Sequence, residues 1–129
     1  MEVVKNFDEL RVFRLAFDAA NRIYDMTRRW PAEEWYGMTA QVLASSRSVG
    51  ANIAEAWRKR DYQAWFIAKL MESAGEASET RVWIKFAGQY RYITAEIAAK
   101  LSDDYDHINA QLFLMIADAA SWCGKRRAP

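Results

Sequence analysis

The stretch QVLASSRSVGANIAEAWRKR, residues 41–60, decides the fold because its spacing predicts one long amphipathic helix. The apolar stripe of this helix consists of Val42, Val49, Ile53 and Ala56. A polar line of Ser48, Asn52 and Glu55 lies beside the stripe, at positions i, i+4 and i+7. A buried polar group without a partner costs about 1–3 kcal/mol, so this line is expected to meet either a neighbouring helix or a ligand.

The composition of the chain predicts one soluble helical domain over residues 1–129, a length sufficient for a working core. Only two prolines and five glycines interrupt the chain, which favours long helices over strands and turns. The longest uncharged run, residues 35–46, is too short and too polar for a bilayer, and the N-terminus lacks the layout of a secretory signal. We therefore expect no membrane association. The single cysteine, Cys123, excludes an internal disulfide and predicts a cytoplasmic location.

The remaining sequence predicts three more helices, and the fold class is therefore all-α, an up-down-up-down antiparallel four-helix bundle. The predicted helices span about residues 7–28, 39–59, 61–88 and 94–123. Asn6 and Glu9 form a capping pair before the first helix, and Asp61 is expected to cap the third. The fourth helix has the clearest apolar spacing, consisting of Ile97, Leu101, Tyr105, Ile108, Leu112, Met115, Ala119 and Trp122.

The first helix carries two apolar stripes, which predicts contacts on more than one side. The stripe assigned to the interhelical seam is Leu10, Phe13, Phe17, Ala20 and Tyr24, and the stripe beside it is Val12, Ala16, Ala19, Ile23 and Met26. Exposed aromatic side chains are also expected at Trp30, Trp35, Trp57 and Trp83. This apolar surface exceeds what one small bundle can hide, so we expect a homo-oligomer.

Four motifs resemble the four-helix-bundle protein family of rRNA intervening sequences, which is itself similar to the accessory variability determinant of diversity-generating retroelements. The first motif is Phe7, Leu10, Val12 and Ala16, and the second is Pro31, Glu34, Tyr36, Gly37 and Met38. The third is Gln41, Ser48, Val49, Asn52, Ile53, Ala54 and Glu55, and the fourth is Ser73 and Glu76. The likeness covers about residues 7–122.

This resemblance implies a ring-like homo-oligomer, with a pentamer as the specific expectation, and an association with RNA or with a reverse-transcriptase complex. It implies no catalytic residues. The chain departs from the family pattern at Leu43 and Ala44, where basic residues are usual, and at Ala56, where glycine is usual. The first departure weakens the expectation of nucleic-acid binding along the second helix.

The basic residues cluster once the bundle topology is imposed, although the net charge is only +1. The start of helix 1, the turn between helices 2 and 3 and the end of helix 4 share one end of an up-down-up-down bundle. The seven cations predicted there, which we call the basic pole, are Lys5, Arg58, Lys59, Arg60, Lys125, Arg126 and Arg127. The acidic residues Glu2, Asp8, Glu9 and Asp61 offset part of this charge. Such a cluster is a candidate site for phosphate groups of RNA or DNA. The competing interpretation is that the terminal cations only complement the helix dipole.

The sequence predicts no enzyme, no metal and no cofactor. A carboxylate-bridged metal site in a bundle needs a Glu-x-x-His pair on each of two helices, whereas this chain has the single histidine His107, beside Asp103 and Asp104. Cys123 ends a helix, where the dipole raises rather than lowers a thiol pKa. There is also no glycine-rich phosphate loop in the sequence.

Two functions therefore remain open. The first is a non-enzymatic oligomeric accessory or scaffold protein that associates with RNA or DNA, and the alternative is a protein–protein adaptor with no nucleic-acid binding. The polar residues of helices 2 and 3 also have two interpretations, a structural hydrogen-bond network or a ligand site. These residues are Ser48, Asn52, Glu55, Ser73 and Glu76.

Overall fold

A computed structural model describes residues 3–124, and within that range the chain is helical without a β-strand. The long helices are α1 (Arg11–Thr27), α2 (Met38–Arg58), α3 (Gln63–Gln89) and α4 (Ala95–Ala117), followed by a single turn, α5 (Ala119–Trp122). Two 3₁₀ turns, Phe7–Glu9 and Ala32–Glu34, precede α1 and α2. Helices α1 and α2, α2 and α3, α3 and α4, and α1 and α4 pack in pairs around one core. The predicted all-α four-helix bundle is confirmed.

The first helix begins later than predicted because the capping pair belongs to the preceding 3₁₀ turn. Glu9 Oε2 accepts hydrogen bonds from the backbone N–H groups of Asn6, at 2.9 Å, and Lys5, at 2.6 Å. These bonds lower the pKa of the Glu9 carboxyl. Leu10 then has an extended backbone, which separates the turn from α1. The predicted Asp61 cap is also displaced, since the residue before α3 is Tyr62.

The two stripes of α1 are assigned the wrong way round by the sequence. Ala16, Ala19 and Ile23 of the second stripe are buried in the core, whereas Phe17 and Tyr24 of the first are 55% and 44% exposed. The small alanine side chains allow α1 to lie close to its neighbours, which favours that face for burial. The aromatic residues instead line an open groove against α2.

The predicted apolar spacing of α4 identifies the core, and α3 likewise has one buried face. The buried face of α3 includes Phe66, Leu70, Ala77, Ile84 and Ala87, and that of α4 includes Leu101, Tyr105, Ile108, Leu112 and Met115. The predicted α4 face ends early at both extremities, since Ile97 is exposed and Trp122 is half-buried. The fourth helix is also interrupted at Asp118, between α4 and α5.

The prediction of four exposed tryptophans is correct for Trp35, which is 59% exposed, and wrong for the others. Trp30 is buried against Tyr92 and Trp57 against Trp122, with ring centroids 5.7 and 6.1 Å apart. These contacts cover the two ends of the bundle, which the helical periodicity does not describe. Trp83 is half-buried.

None of the helices in residues 3–124 combines the length and the apolar character needed to cross a bilayer.

Candidate nucleic-acid interface

The structure brings the three segments of the basic pole together as far as residues 3–124 extend. The indole Nε1 of Trp57, at the end of α2, donates a hydrogen bond to the carbonyl of Lys5 at 3.4 Å. The backbone N–H of Gly124 donates to the carbonyl of Arg60 at 3.2 Å. The N-terminal segment, the α2–α3 turn and the end of α5 therefore meet at one end of the bundle. The tail cations Lys125, Arg126 and Arg127 lie outside the described residues.

The four described cations of the basic pole are not equivalent. Arg60 is held by Trp57, because its Nη1 donates to the Trp57 carbonyl at 2.6 Å and its guanidinium carbon lies 4.0 Å from the indole centroid. Lys59 places its ammonium group 5.0 Å from the ring centroid of Trp65. Arg58 and Lys5 are exposed. Three cations of the pole can thus meet a ligand, while Arg60 stabilises the turn.

A shallow cleft beside this pole lies between the N-terminal segment and the last turn of α2. Lys5, Arg58 and Arg60 line it together with Phe7 and the carboxylate residue Glu55. Glu55 partly offsets the positive charge, but its Oε2 lies 2.9 Å from the ammonium of Lys69. The cleft therefore retains a local excess of positive charge suited to an anionic group.

The structure does not join the residues of the predicted polar network into one unit. Asn52 donates from Nδ2 to the Ser48 carbonyl of its own helix at 3.0 Å. Glu55 is exposed and forms the ion pair with Lys69, whose pKa is raised by its hydrogen bonds to Glu55 and then to Glu72. The line lies at the edge of the packing face, where Glu55 pairs across to Lys69 of α3 and Asn52 bonds within α2.

Buried hydroxyl groups also join helices α2 and α3. Ser73 Oγ donates to the Val49 carbonyl at 2.8 Å, which adds a buried hydrogen bond to the Glu55–Lys69 ion pair between the two helices. The Thr80 hydroxyl donates to the Ser45 hydroxyl at 2.8 Å and lies 2.9 Å from the carbonyl of Glu76. Desolvation, followed by the charges of Glu79 and Glu72, raises the pKa of the Glu76 carboxyl.

Ser45 and Thr80 were missed from the sequence, although their spacing provides a signal. Ser45 falls on the same face as Val42 and Val49, and Thr80 falls between the core residues Ala77 and Ile84. A small hydroxyl residue within an apolar stripe is expected to bond across to the neighbouring helix, because a buried polar group is normally hydrogen-bonded.

This geometry predicts unequal costs for two substitutions. Thr80→Val keeps the side-chain shape but removes the bond to Ser45, so the free energy of unfolding should fall by about 1–2 kcal/mol. Asn52→Leu removes a bond within one helix turn and should change it by about 0.5 kcal/mol or less. Urea denaturation of both variants measures the difference. A larger loss for Asn52→Leu would mean that the polar line meets a partner that a single chain does not contain.

The second family motif has a structural role at the end of the bundle opposite the basic pole. Glu34 accepts hydrogen bonds from the Met38 backbone N–H, at 3.2 Å, and from the Tyr92 hydroxyl, at 2.9 Å. The bond to Glu34 raises the pKa of Tyr92. A Cβ atom on Gly37 would lie 3.0 Å from Glu34 Oε1, so glycine leaves space for this carboxylate at the start of α2.

Asp104, one of the acidic residues near His107, is paired with basic side chains. Asp104 accepts from Arg22 at 2.8 Å and from Lys100 at 2.6 Å. His107 lies 3.0 Å from Gln111 through its Nε2. Over residues 3–124, no group of three or more His, Cys, Asp or Glu side chains could hold a metal ion. Burial raises the pKa of the half-buried Cys123 thiol.

Comparison with known proteins gives a family and a fold. The sequence profile of the 23S rRNA-intervening sequence protein family matches residues 8–113. The chain is also similar to a crystal structure of a protein of unknown function from the S23 ribosomal protein family of Bacteroides thetaiotaomicron. The two share 33% sequence identity with a TM-score of 0.73, over 81% of this chain and 97% of the other. No curated protein matches the chain.

Proposed function

The chain belongs to the 23S rRNA-intervening sequence protein family, and we propose that it is a non-enzymatic, self-associating helical bundle that binds RNA or DNA through its basic pole. The observation that carries this proposal is the meeting of Lys5, Arg58 and Lys59 at one end of a chain with a net charge of +1. A local cation cluster on a nearly neutral protein supports that end as the surface for phosphate groups.

Phosphate contacts alone would make this binding tolerant of sequence, because they position a nucleic acid without reading its bases. The names of the matching family and of the solved relative refer to rRNA and to a ribosomal protein family, and this supports RNA as the first ligand to test. We propose a cytoplasmic location, which the single cysteine Cys123 supports. Association with a reverse-transcriptase complex, as in the accessory variability determinant of diversity-generating retroelements, stays a prediction from the motif resemblance.

The outer face of α3 supports self-association. Small and apolar residues recur there at alternating spacings of three and four: Ala64, Ala68, Met71, Gly75, Ser78 and Val82, all exposed. Ser78 also accepts a hydrogen bond from Asn109 of α4, so the stripe approaches α4 at its C-terminal part. This stripe lies about 200° around the helix from the buried stripe that contains Phe66 and Leu70. Gly75 costs about 1 kcal/mol relative to alanine in a helix interior. A Cβ at Gly75 would meet nothing within 4 Å in the single chain, so a closely approaching second helix gives this glycine a role.

Self-association predicts a particle mass that is a multiple of the 14.9 kDa chain, and the family resemblance predicts a five-fold ring. Multi-angle light scattering measures it directly. The double substitution Met71→Glu and Val82→Glu should lower the mass, because charges placed on an apolar interface must be desolvated. Ala40→Glu, also on an exposed helical position, is the control and should leave the mass unchanged. A 14.9 kDa particle for the unmodified protein at micromolar concentration would contradict the oligomer.

The adaptor function is the second candidate, and the exposed aromatic pair Trp35 and Tyr36 favours it. These side chains are 59% and 92% exposed, at the end of the bundle away from the basic pole. Aromatic residues of this kind are enriched in protein–protein interfaces.

The nucleic-acid content of the purified protein distinguishes the two functions. If the protein binds nucleic acid, preparations made at low salt should carry RNA or DNA. The ratio of nucleic-acid to protein absorbance should then be raised, and nuclease treatment should lower it to the value for protein alone. Protein that is free of nucleic acid and also fails to bind added RNA or DNA would leave the adaptor as the better function.

A further inference from the structure

Two aromatic side chains lie beside the cations of the basic pole without belonging to the core. Trp65, in the first turn of α3, is 44% exposed, although the next residue, Phe66, is fully buried. Tyr62, just before α3, is half-buried and meets the Trp65 ring edge to face, with centroids 4.9 Å apart and planes at 63°. The Tyr62 contact holds the indole at the surface.

The surroundings of Trp65 combine a flat apolar surface with positive charge. The Lys59 ammonium lies 5.0 Å from the indole centroid, and Arg58, the preceding residue, is exposed. A single exposed apolar side chain needs no explanation in itself. Here, however, the indole lies next to the only segment of residues 3–124 in which three cations follow one another, Arg58 to Arg60.

The ligand that fits this arrangement has flat apolar faces and regularly spaced negative charges. Single-stranded nucleic acid offers both, because its bases are unpaired and can stack on aromatic rings while its phosphates meet lysine and arginine. A duplex offers the same phosphates but keeps its bases stacked inside the helix. An acidic peptide has the charge without the flat faces, and so uses the indole less well.

We propose that Trp65, Tyr62 and Lys59 form a stacking site at the basic pole that selects single-stranded over double-stranded nucleic acid. This inference rests on the proposed function and specifies its ligand. An unpaired base stacks on the indole, and the adjacent phosphate meets the Lys59 ammonium. Because the site uses the π-face of a base and not its edges, it accepts RNA and DNA and has little sequence preference.

The test is a binding titration by fluorescence anisotropy with labelled oligo(dT) of about 20 nucleotides, used alone and annealed to oligo(dA). The unmodified protein should bind the single strand more tightly than the duplex. Trp65→Ala should weaken single-strand binding by about tenfold, in line with the loss of one stacked base, and leave duplex binding unchanged. Trp65→Phe should restore most of the affinity. The matched control is Trp35→Ala, an exposed tryptophan at the other end, which should change neither titration.

The outcomes separate this inference from the proposed function. Equal affinity of the unmodified protein for strand and duplex, or an equal effect of Trp65→Ala on both, would overturn the stacking site and leave phosphate binding by the pole in place. Absence of binding to both probes would overturn the proposed function together with this inference. An oligo(U) titration close to that of oligo(dT) is expected, and strong preference for either sugar would contradict recognition by stacking.

Discussion

The simultaneous replacement of Lys5, Arg58 and Lys59 by glutamine is expected to weaken single-strand binding by about tenfold to a hundredfold, and to reduce the slope of log affinity against log salt by about two. These three cations are free to meet phosphates, and each contact to a single strand contributes about 0.7 to the slope. Arg60 is kept because its bonds to Trp57 stabilise the turn. Titrations at several salt concentrations measure both quantities.

A matched control is available at the opposite end of the bundle. Arg28 and Arg29 follow α1, and Arg91 follows α3, so replacing these three exposed arginines by glutamine changes the net charge equally. The control should retain nearly all of the affinity and the salt slope. If both triple variants lose the same affinity, the effect reflects the overall charge, and the basic pole is not the site.

Tyr105→Phe is expected to raise the free energy of unfolding by about 1–3 kcal/mol, the desolvation cost of an unpaired buried hydroxyl. Tyr105 is fully buried in α4, and among the described residues its hydroxyl has no hydrogen-bond partner. Removing that oxygen keeps the ring packing and leaves no other group unpaired. Urea denaturation at neutral pH measures the gain. A loss of stability would mean that the hydroxyl has a partner in the folded protein in solution.

The same residue predicts a dependence on alkaline pH. Burial raises the pKa of the Tyr105 phenol well above its ordinary value. The pKa of Tyr105 is higher in the folded than in the unfolded protein, so its contribution to the free energy of unfolding is fully present below pH about 10. Above that pH the unfolded chain releases the proton first, and the free energy of unfolding falls by about 1.4 kcal/mol per pH unit. The stability of Tyr105→Phe should therefore fall less steeply above pH about 10 than that of the unmodified protein, and parallel profiles would contradict the assignment.

The fold was largely predictable because α3 and α4 each present one buried face with strict helical spacing, from Phe66 to Ala87 and from Leu101 to Met115. The buried face of α1 was not predictable, since both of its stripes are apolar and helical spacing does not show which one is buried. The distance between α1 and α2 determines which stripe is buried. It depends on small residues of both helices, such as Ala16 and Gly50, whose Cβ position would lie 3.3 Å from the Phe13 ring.

The location of the basic pole followed from topology, because connectivity alone places the start of α1 and the end of α2 at one end. The roles of the individual side chains at this end did not follow from the topology. The contact of Arg60 with Trp57 depends on the backbone of the turn, and the exposure of Trp65 depends on which side of α3 faces the core. The polar line from Ser48 to Glu55 adjoins an apolar stripe, and spacing does not determine whether such a line is inside or outside the packed face.

Binding of nucleic-acid phosphates by the basic pole is measured by titrating the unmodified protein against a labelled single strand over a range of salt. We expect clear binding at about 50 mM salt, with log affinity falling linearly and steeply as log salt rises. No retention of the strand at about 50 mM salt, or an affinity that salt does not change, would contradict it.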